Sequence, residues 1–264
     1  MAFDKYKHYE NSVQTPEEHV RIFESMFFQI RRKEALRLRE DFCGTFLISC
    51  KWVKSNERRT ATGIDLDPEP VAFGKKHGYS KLTAAQKKRI DLRLQDVCIP
   101  TRDKHEIIGA GNFSFNIFKD KKALKKYFTA ARRSLTPDGI FVLEMAGGPG
   151  FIAKGREQKT YTMPGLGKFT YYWDQKSFDP ITHFGTYAIH FKDRRGVMHK
   201  DVFTYDWRVW SIPELREVML ECGFKDTKVF WEDPGPDGSG TGEYVAMEKG
   251  DNAFAWIAFV VGIK

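Results

Sequence analysis

The stretch Leu38–Trp52, "LREDFCGTFLISCKW", reads as a short strand, a tight turn and the opening of a helix. Where such turns bind dinucleotides they usually carry several glycines, so that the backbone and the helix N-terminus can approach a pyrophosphate. Here Gly44 stands alone, flanked by Phe42 and Phe46. Side chains of that size at two turn positions should obstruct a pyrophosphate, which disfavours a nicotinamide dehydrogenase.

Outward from this turn the chain alternates strands and helices. Upstream, "TPEEHVRIFESMFFQIRRKEA" predicts a helix with Thr15 as N-cap, Pro16 at the first position and Glu18 closing a capping box. Val20, Phe23, Phe27 and Ile30 then share one face. Downstream, "RTATGIDLD" is a second strand, and Asp67-Pro68 caps the helix after it. "RIDLRLQDV" and "HEIIGAGNFSF" are a third and a fourth strand. A helix over "KDKKALKKYFTAARRSL", a turn at "TPDG" and a fifth strand "IFVLEMAGG" complete the series. Five such units predict a doubly wound α/β fold with a mostly parallel sheet and helices on both faces.

From about Tyr161 to Trp210 the pattern changes to aromatic-rich, non-helical sequence. "KFTYYWDQKSF" and a hairpin turning at "DRRG" predict a small antiparallel β insertion, bounded at about 155–210. A helix follows, capped by Ser211, boxed by Glu214 and ended by Gly223. "TKVFWED" and "AFAWIAFVVGI" are closing strands, and "DPGPDGSGTG" between them reads as a flexible loop. The expected organisation is an N-terminal helical cap over 1–37 and one α/β domain over 38–264.

The chain has 264 residues, 41% hydrophobic and 30% charged, as in an ordinary folded protein. No apolar run reaches the roughly 20 residues that span a bilayer. The first residues have no apolar leader segment, which argues against a secretory signal and for a cytoplasmic protein. Cys43, Cys50, Cys98 and Cys222 are scattered, without metal-ligand spacing, so reduced thiols and no metal are expected. The net charge of +8 favours acidic partners such as nucleic acid, although lysines on solvated helix faces explain much of it.

Ligands of doubly wound sheets bind at the carboxyl ends of the strands. Glu40, Asp65, Asp96, Asn112 and Glu144 stand at five successive strand ends. A carboxylate ending the second strand suits both hydroxyls of a ribose, and Asp96 is placed to accept from an adenine amine. An adenosine cofactor without phosphates in the turn is the expectation.

In these features the sequence resembles the class I S-adenosylmethionine-dependent methyltransferases, from about Leu38 to the end apart from the insertion. Glu40 matches that family's first-motif acid and Gly44 its central glycine, whereas Phe42 and Phe46 replace the outer two glycines. The "REDFCGT" and "NFSF" segments suggest a particular subgroup. The resemblance implies a seven-stranded sheet with a C-terminal antiparallel strand, and S-adenosylmethionine as cofactor. Its implied binding residues are Glu40, Phe42, Cys43, Gly44, Thr45, Asp65, Leu66, Asp96, Val97, Asn112 and Phe113. "NFSF" stands where amino-methylating members carry an Asn/Asp-Pro-Pro-aromatic segment. Asn112 is therefore the candidate catalytic residue, orienting an acceptor nitrogen, or else a cap for the next helix.

Within the insertion, Tyr172, Trp173, Trp207 and Arg208 are the candidate substrate contacts. Tyr171, Phe191, Tyr205 and Trp210 add to its aromatic content, and about half of these aromatics should pack its own core. Arg208 could meet a substrate anion, or pair with Asp206 or Glu214. His183 and His190 are candidate bases, and Tyr9 and Gln14 could close over the cofactor. The leading expectation is methyl transfer to a small-molecule acceptor. The alternatives are a nucleic-acid methyltransferase and a non-catalytic binding or scaffold protein on the same fold. Oligomeric state is not legible here.

Overall fold

The strand–turn–helix units close into a single large sheet in a computed structural model that describes residues 3–235 and 240–264. Helices α1 (Lys5–Glu10) and α2 (Pro16–Arg31) lead into β1 (Arg37–Asp41), α3 (Leu47–Ser55), β2 (Thr60–Asp65) and α4 (Pro68–Lys76). The short α5 (Ala84–Lys87) precedes β3 (Ile90–Leu94) and β4 (His105–Ala110), and α6 (Lys121–Ser134) leads into β5 (Leu135–Gly147). After α7 (Pro149–Ile152) come β6 (Gly155–Met163), β7 (Gly167–Asp179), β8 (Phe184–Lys192) and β9 (Met198–Arg208). The chain closes with α8 (Ile212–Glu221), β10 (Asp226–Pro234), β11 (Gly240–Ala246) and β12 (Trp256–Ile263).

The large sheet has the order β11-β10-β12-β5-β4-β1-β2-β3. β1 to β5 pair in parallel, and β12 runs antiparallel between β5 and β10. This is the expected doubly wound α/β sheet with its C-terminal antiparallel strand. It carries one strand more than the seven foreseen, because β11 pairs antiparallel on the β10 edge. The glycine-rich composition around 233–242 masks that edge strand, and residues 236–239 of the expected loop lie outside the described residues.

One face of the sheet is covered by α2 and α3, whose Phe23, Phe27, Trp52 and Val53 pack on Leu38, Ile107 and Val142. The other face meets α6 and α8 through Leu124, Phe128, Leu215 and Met219. Helix α2 thus belongs to the core of the sheet, while α1 lies at the strand ends. The capping box foreseen at Thr15 does not form; the Thr15 carbonyl instead accepts from His19 Nδ1 at 3.0 Å. The caps at Asp67 and Ser211 form as expected. The "TPDG" turn survives as a bulge: His105 pairs with Leu135, and the next pair is Ile107 with Ile140.

The insertion is a separate four-stranded antiparallel sheet, β6-β7-β8-β9. Its hairpin turns at Asp193–Gly196, where Gly196 takes φ 81°, as the "DRRG" signal requires. The additional strand, β6, has an exposed, charged sequence without a strand-like apolar face.

Candidate active site

The turn after β1 is built on a buried polar foundation. Arg39, fully buried, donates to Asp41 at 2.6 Å, to Ser134 at 3.0 Å and to the Val97 carbonyl at 3.0 Å. Asp41 also accepts from the Tyr127 hydroxyl at 2.9 Å. These bonds satisfy both charges, without which burial would be prohibitive. They also hold the end of β1 where the backbone turns.

In the turn itself Phe42 has φ 54°, Gly44 φ 51° and Phe46 φ 47°. The two phenylalanines at the outer-glycine positions therefore adopt the left-handed conformation that glycine adopts freely, at roughly 1–2 kcal/mol each. Packing holds them there. Phe46 is fully buried beside Tyr79, and Phe42 lies edge-on to Phe118 and Tyr127. The obstruction expected from their bulk is thus largely avoided, since Phe46 turns into the core and Phe42 contributes to a cavity wall. Gly44 faces open space: a Cβ there would meet nothing within 4 Å.

The turn's amides are occupied by the protein's own carboxylates. Glu40 accepts from the backbone N–H and the hydroxyl of Ser49, in the first turn of α3. Burial raises the Glu40 carboxyl to about 7, against the lowering effect of Ser49. Asp65, ending β2, accepts from Gly44 N at 2.7 Å with one oxygen and from Asp67 N at 2.8 Å with the other. A carboxylate has about four lone-pair sites, so Asp65 keeps acceptor capacity for a ligand.

Two adjoining cavities lie at these strand ends. The first, of about 410 Å³, is lined by Phe42, Gly44, Thr45, Asp65 and Asn112, and roofed by Tyr6, Tyr9 and Gln14 from the N-terminal segment. Gln14 meets the Thr45 hydroxyl at 3.3 Å. The second, of about 500 Å³, lies between β5, β10 to β12 and the inner face of the four-stranded sheet. Tyr9, Asn112, Tyr205 and Trp207 line both.

Asn112 and Phe113 form the left-handed turn after β4, with φ 53° and 59°. Asn112 N donates to Glu144 Oε2 at 2.5 Å, and the same oxygen is 3.1 Å from His19 Nε2. His19 presents both ring nitrogens to oxygen acceptors, Thr15 O and Glu144, which is the bonding of an imidazolium. Burial alone would lower its pKa, but the charge of Glu144 and the bond to it raise it to about 9. The same pairing lowers Glu144 despite burial. This buried pair ties α2 to the strand ends and fixes the backbone at Asn112. Its members are 125 residues apart in sequence, and no local signal joined them.

The other candidates divide clearly. Phe113, Phe151, Trp173 and Trp207 line the second cavity, with Phe151 edge-on to Phe113 and Tyr187 stacked against Phe151 and Trp173. Cys43 is buried below the turn, and Leu66 is 69% exposed beside it; neither lines a cavity. Asp96 lies two residues past the end of β3, accepts from Cys98 N at 2.8 Å and lines neither cavity. Val97 is buried, with its carbonyl held by Arg39. Tyr172 alternates with Trp173 and so belongs to the opposite face of β7.

Arg208 is drawn away from any substrate role by its neighbours. It donates to Glu214 at 3.1 Å and lies 3.8 Å over the Trp210 ring, outside both cavities. His190 accepts from Asp201 N and bonds Asp174 at 3.0 Å, and His183 sits in the β7–β8 turn; neither lines a cavity. Tyr244 and Trp256, from the closing strands, were not foreseen and line the second cavity.

No protein-family model matches the sequence, and neither does any curated protein. Solved structures do match. An S-adenosylmethionine-dependent methyltransferase from Clostridium acetobutylicum is 17% identical, with TM-score 0.69 over 98% of this chain and 97% of that one. The sugar N-methyltransferase KedS8 from Streptoalloteichus sp. is 14% identical, with TM-score 0.67 over 100% and 94%. CalS10, an amino pentose methyltransferase from Micromonospora echinaspora solved with S-adenosylmethionine, is 13% identical, with TM-score 0.68 over 99% and 98%. The chain has the class I S-adenosylmethionine-dependent methyltransferase fold.

Proposed function

We propose that this protein binds S-adenosylmethionine in the first cavity and methylates a small-molecule acceptor held in the second. The observation that carries the reading is the occupancy of the turn's amides. Gly44 N is taken by Asp65 and Ser49 N by Glu40, so internal carboxylates already hold two amides that a phosphate would need. An adenosine cofactor without phosphates needs neither amide. The residues fit such a group: Asp65 keeps lone pairs for a ribose, and the open space at Gly44 leaves room for close approach. Bound there, S-adenosylmethionine supplies a methyl group on a sulfonium.

The chain's own residues bind, orient and exclude water. Tyr9, Asn112, Tyr205 and Trp207, where the cavities adjoin, would align the acceptor with the methyl donor. Tyr6, Tyr9 and Gln14 would cover the first cavity and keep solvent from it. Asn112, with its backbone held by Glu144, is the residue proposed to orient the acceptor atom. Among the described residues lining the second cavity there is no lysine or arginine, which favours a small molecule over a nucleic-acid strand, since the latter needs a cationic track beside its stacking rings.

The test is calorimetric titration with S-adenosylhomocysteine, with NAD as control. Micromolar or tighter binding of the first alone is expected. Binding of neither would overturn the reading and favour a scaffold role, and binding of NAD alone would overturn it in favour of a dinucleotide site.

A further inference from the structure

The charges that line the second cavity define its occupant more narrowly than the fold does. The chain carries 43 lysines and arginines, with a net charge of +8. Among the described residues lining this cavity there is no lysine, arginine or histidine. Its charged members are Glu157, from β6, and Glu232, from β10. The rest of its wall is dominated by rings, among them Tyr171, Trp173, Tyr205, Trp207, Tyr244 and Trp256.

A phosphate or carboxylate entering this space would be desolvated against aromatic walls, with two carboxylates and no cation to receive it. Sites for such anions ordinarily supply arginine or lysine. A cation gains on both counts, by attraction to the carboxylates and by cation–π contact with the rings. The acceptor atom follows from the same inventory. A hydroxyl must lose its proton to become a good nucleophile, and a carboxylate is a weak base for an alcohol. Burial raises the Tyr9 phenol to about 12 and raises those of Tyr171, Tyr205 and Tyr244, so these stay neutral hydroxyls. An ammonium, bound as that cation, gives up a proton far more readily than an alcohol does, and the amine it leaves has a free lone pair.

We infer that the acceptor is a small amine on an apolar body of ring size, bearing no phosphate or carboxylate. This rests on the methyl-transfer reading of the same crevice. In the reaction, the bound ammonium first gives a proton to water or to Glu157 or Glu232, and the freed nitrogen lone pair forms the new C–N bond as the methyl C–S bond breaks. The sulfur keeps that bonding pair, and the product leaves as the methylated ammonium.

The test uses four probes with one ring and different charge: phenethylamine, phenylalanine, 3-phenylpropionate and phenethyl phosphate. Their binding to the full chain is measured by saturation-transfer NMR at millimolar concentration, with and without S-adenosylhomocysteine. Phenethylamine should bind about tenfold or more tighter than 3-phenylpropionate and phenethyl phosphate. Glu157→Lys, on an exposed part of its strand, should narrow or reverse that order, and Glu232→Gln should narrow it. Equal or tighter binding of the anionic probes, or no binding of any probe, would overturn the inference. Failure of S-adenosylhomocysteine to bind the same sample would count against methyl transfer, and the order of the probes would remain readable.

Discussion

The two walls of the crevice are built by different means. The wall at the ends of β1 and β2 is shaped by backbone: a turn with three residues at positive φ, its amides held by Asp65 and Glu40. The wall from the four-stranded sheet works through side chains, alternate residues of β7 and β9 presenting Tyr171, Trp173, Tyr205 and Trp207. A wall shaped by backbone tolerates unusual sequence provided the dihedral angles are kept. That is how Phe42 and Phe46 can stand where related turns carry glycine. A wall of side chains has no such tolerance, so substitutions at Tyr171, Trp173, Tyr205 or Trp207 should alter what the second cavity accepts.

This contrast can be broken or sharpened by substitution. The largest effect should come from the foundation of the first wall. Arg39→Ala would leave Asp41 buried without its cation, and should cost about 3–5 kcal/mol of stability in urea denaturation. Next is the pair that joins the walls at Asn112. His19 rises from the ordinary 6.5 to about 9, so its contribution is full below pH 6.5 and lost as pH climbs through 9. Glu144 is lowered, so its contribution is lost only as pH falls below the ordinary carboxylate range. Between pH 6 and 9.5 the wild type should therefore lose roughly 3 kcal/mol more stability than His19→Gln.

Asp65→Ala should weaken S-adenosylhomocysteine binding by about 1.5–3 kcal/mol in calorimetry, by removing charge-assisted bonds to the ribose. Phenethylamine binding should be little changed, which would separate the walls. Gly44→Ala should cost about 1–2 kcal/mol of stability although its Cβ would meet nothing, because the penalty lies in φ 51°. An unchanged denaturation midpoint would mean that the turn does not depend on its backbone. Trp173→Ala should weaken phenethylamine binding by about 0.5–2 kcal/mol, read by the same NMR titration.

Much of the first wall was legible in the sequence, because strand–helix alternation and strand-end acids are local patterns. Asp65 could be placed at the cavity from its position alone, and so could Asn112. The left-handed phenylalanines could not be read, since a dihedral angle so costly for phenylalanine is set only by the packing around it. Nor could Asp96, whose carboxylate turns back to Cys98 N. In the second wall the aromatic richness marked the insertion, but not which residues face inward. Trp173 and Trp207 do, while Tyr172 and Arg208 do not, and that division follows from strand register. β6 and β11 were missed because one is polar on both faces and the other is bounded by glycine-rich sequence. Pairing to an existing edge, rather than intrinsic propensity, makes each a strand.

We place the adenosine cofactor between the turn after β1, whose backbone leaves it room, and the Asp65 carboxylate at the end of β2. Amide hydrogen exchange with and without S-adenosylhomocysteine tests this placement most directly. The expected result is slowed exchange at residues 42–46, 65–67 and 112–114, with NAD producing none. Binding that slows exchange only elsewhere, or that leaves these three segments unchanged, would contradict it.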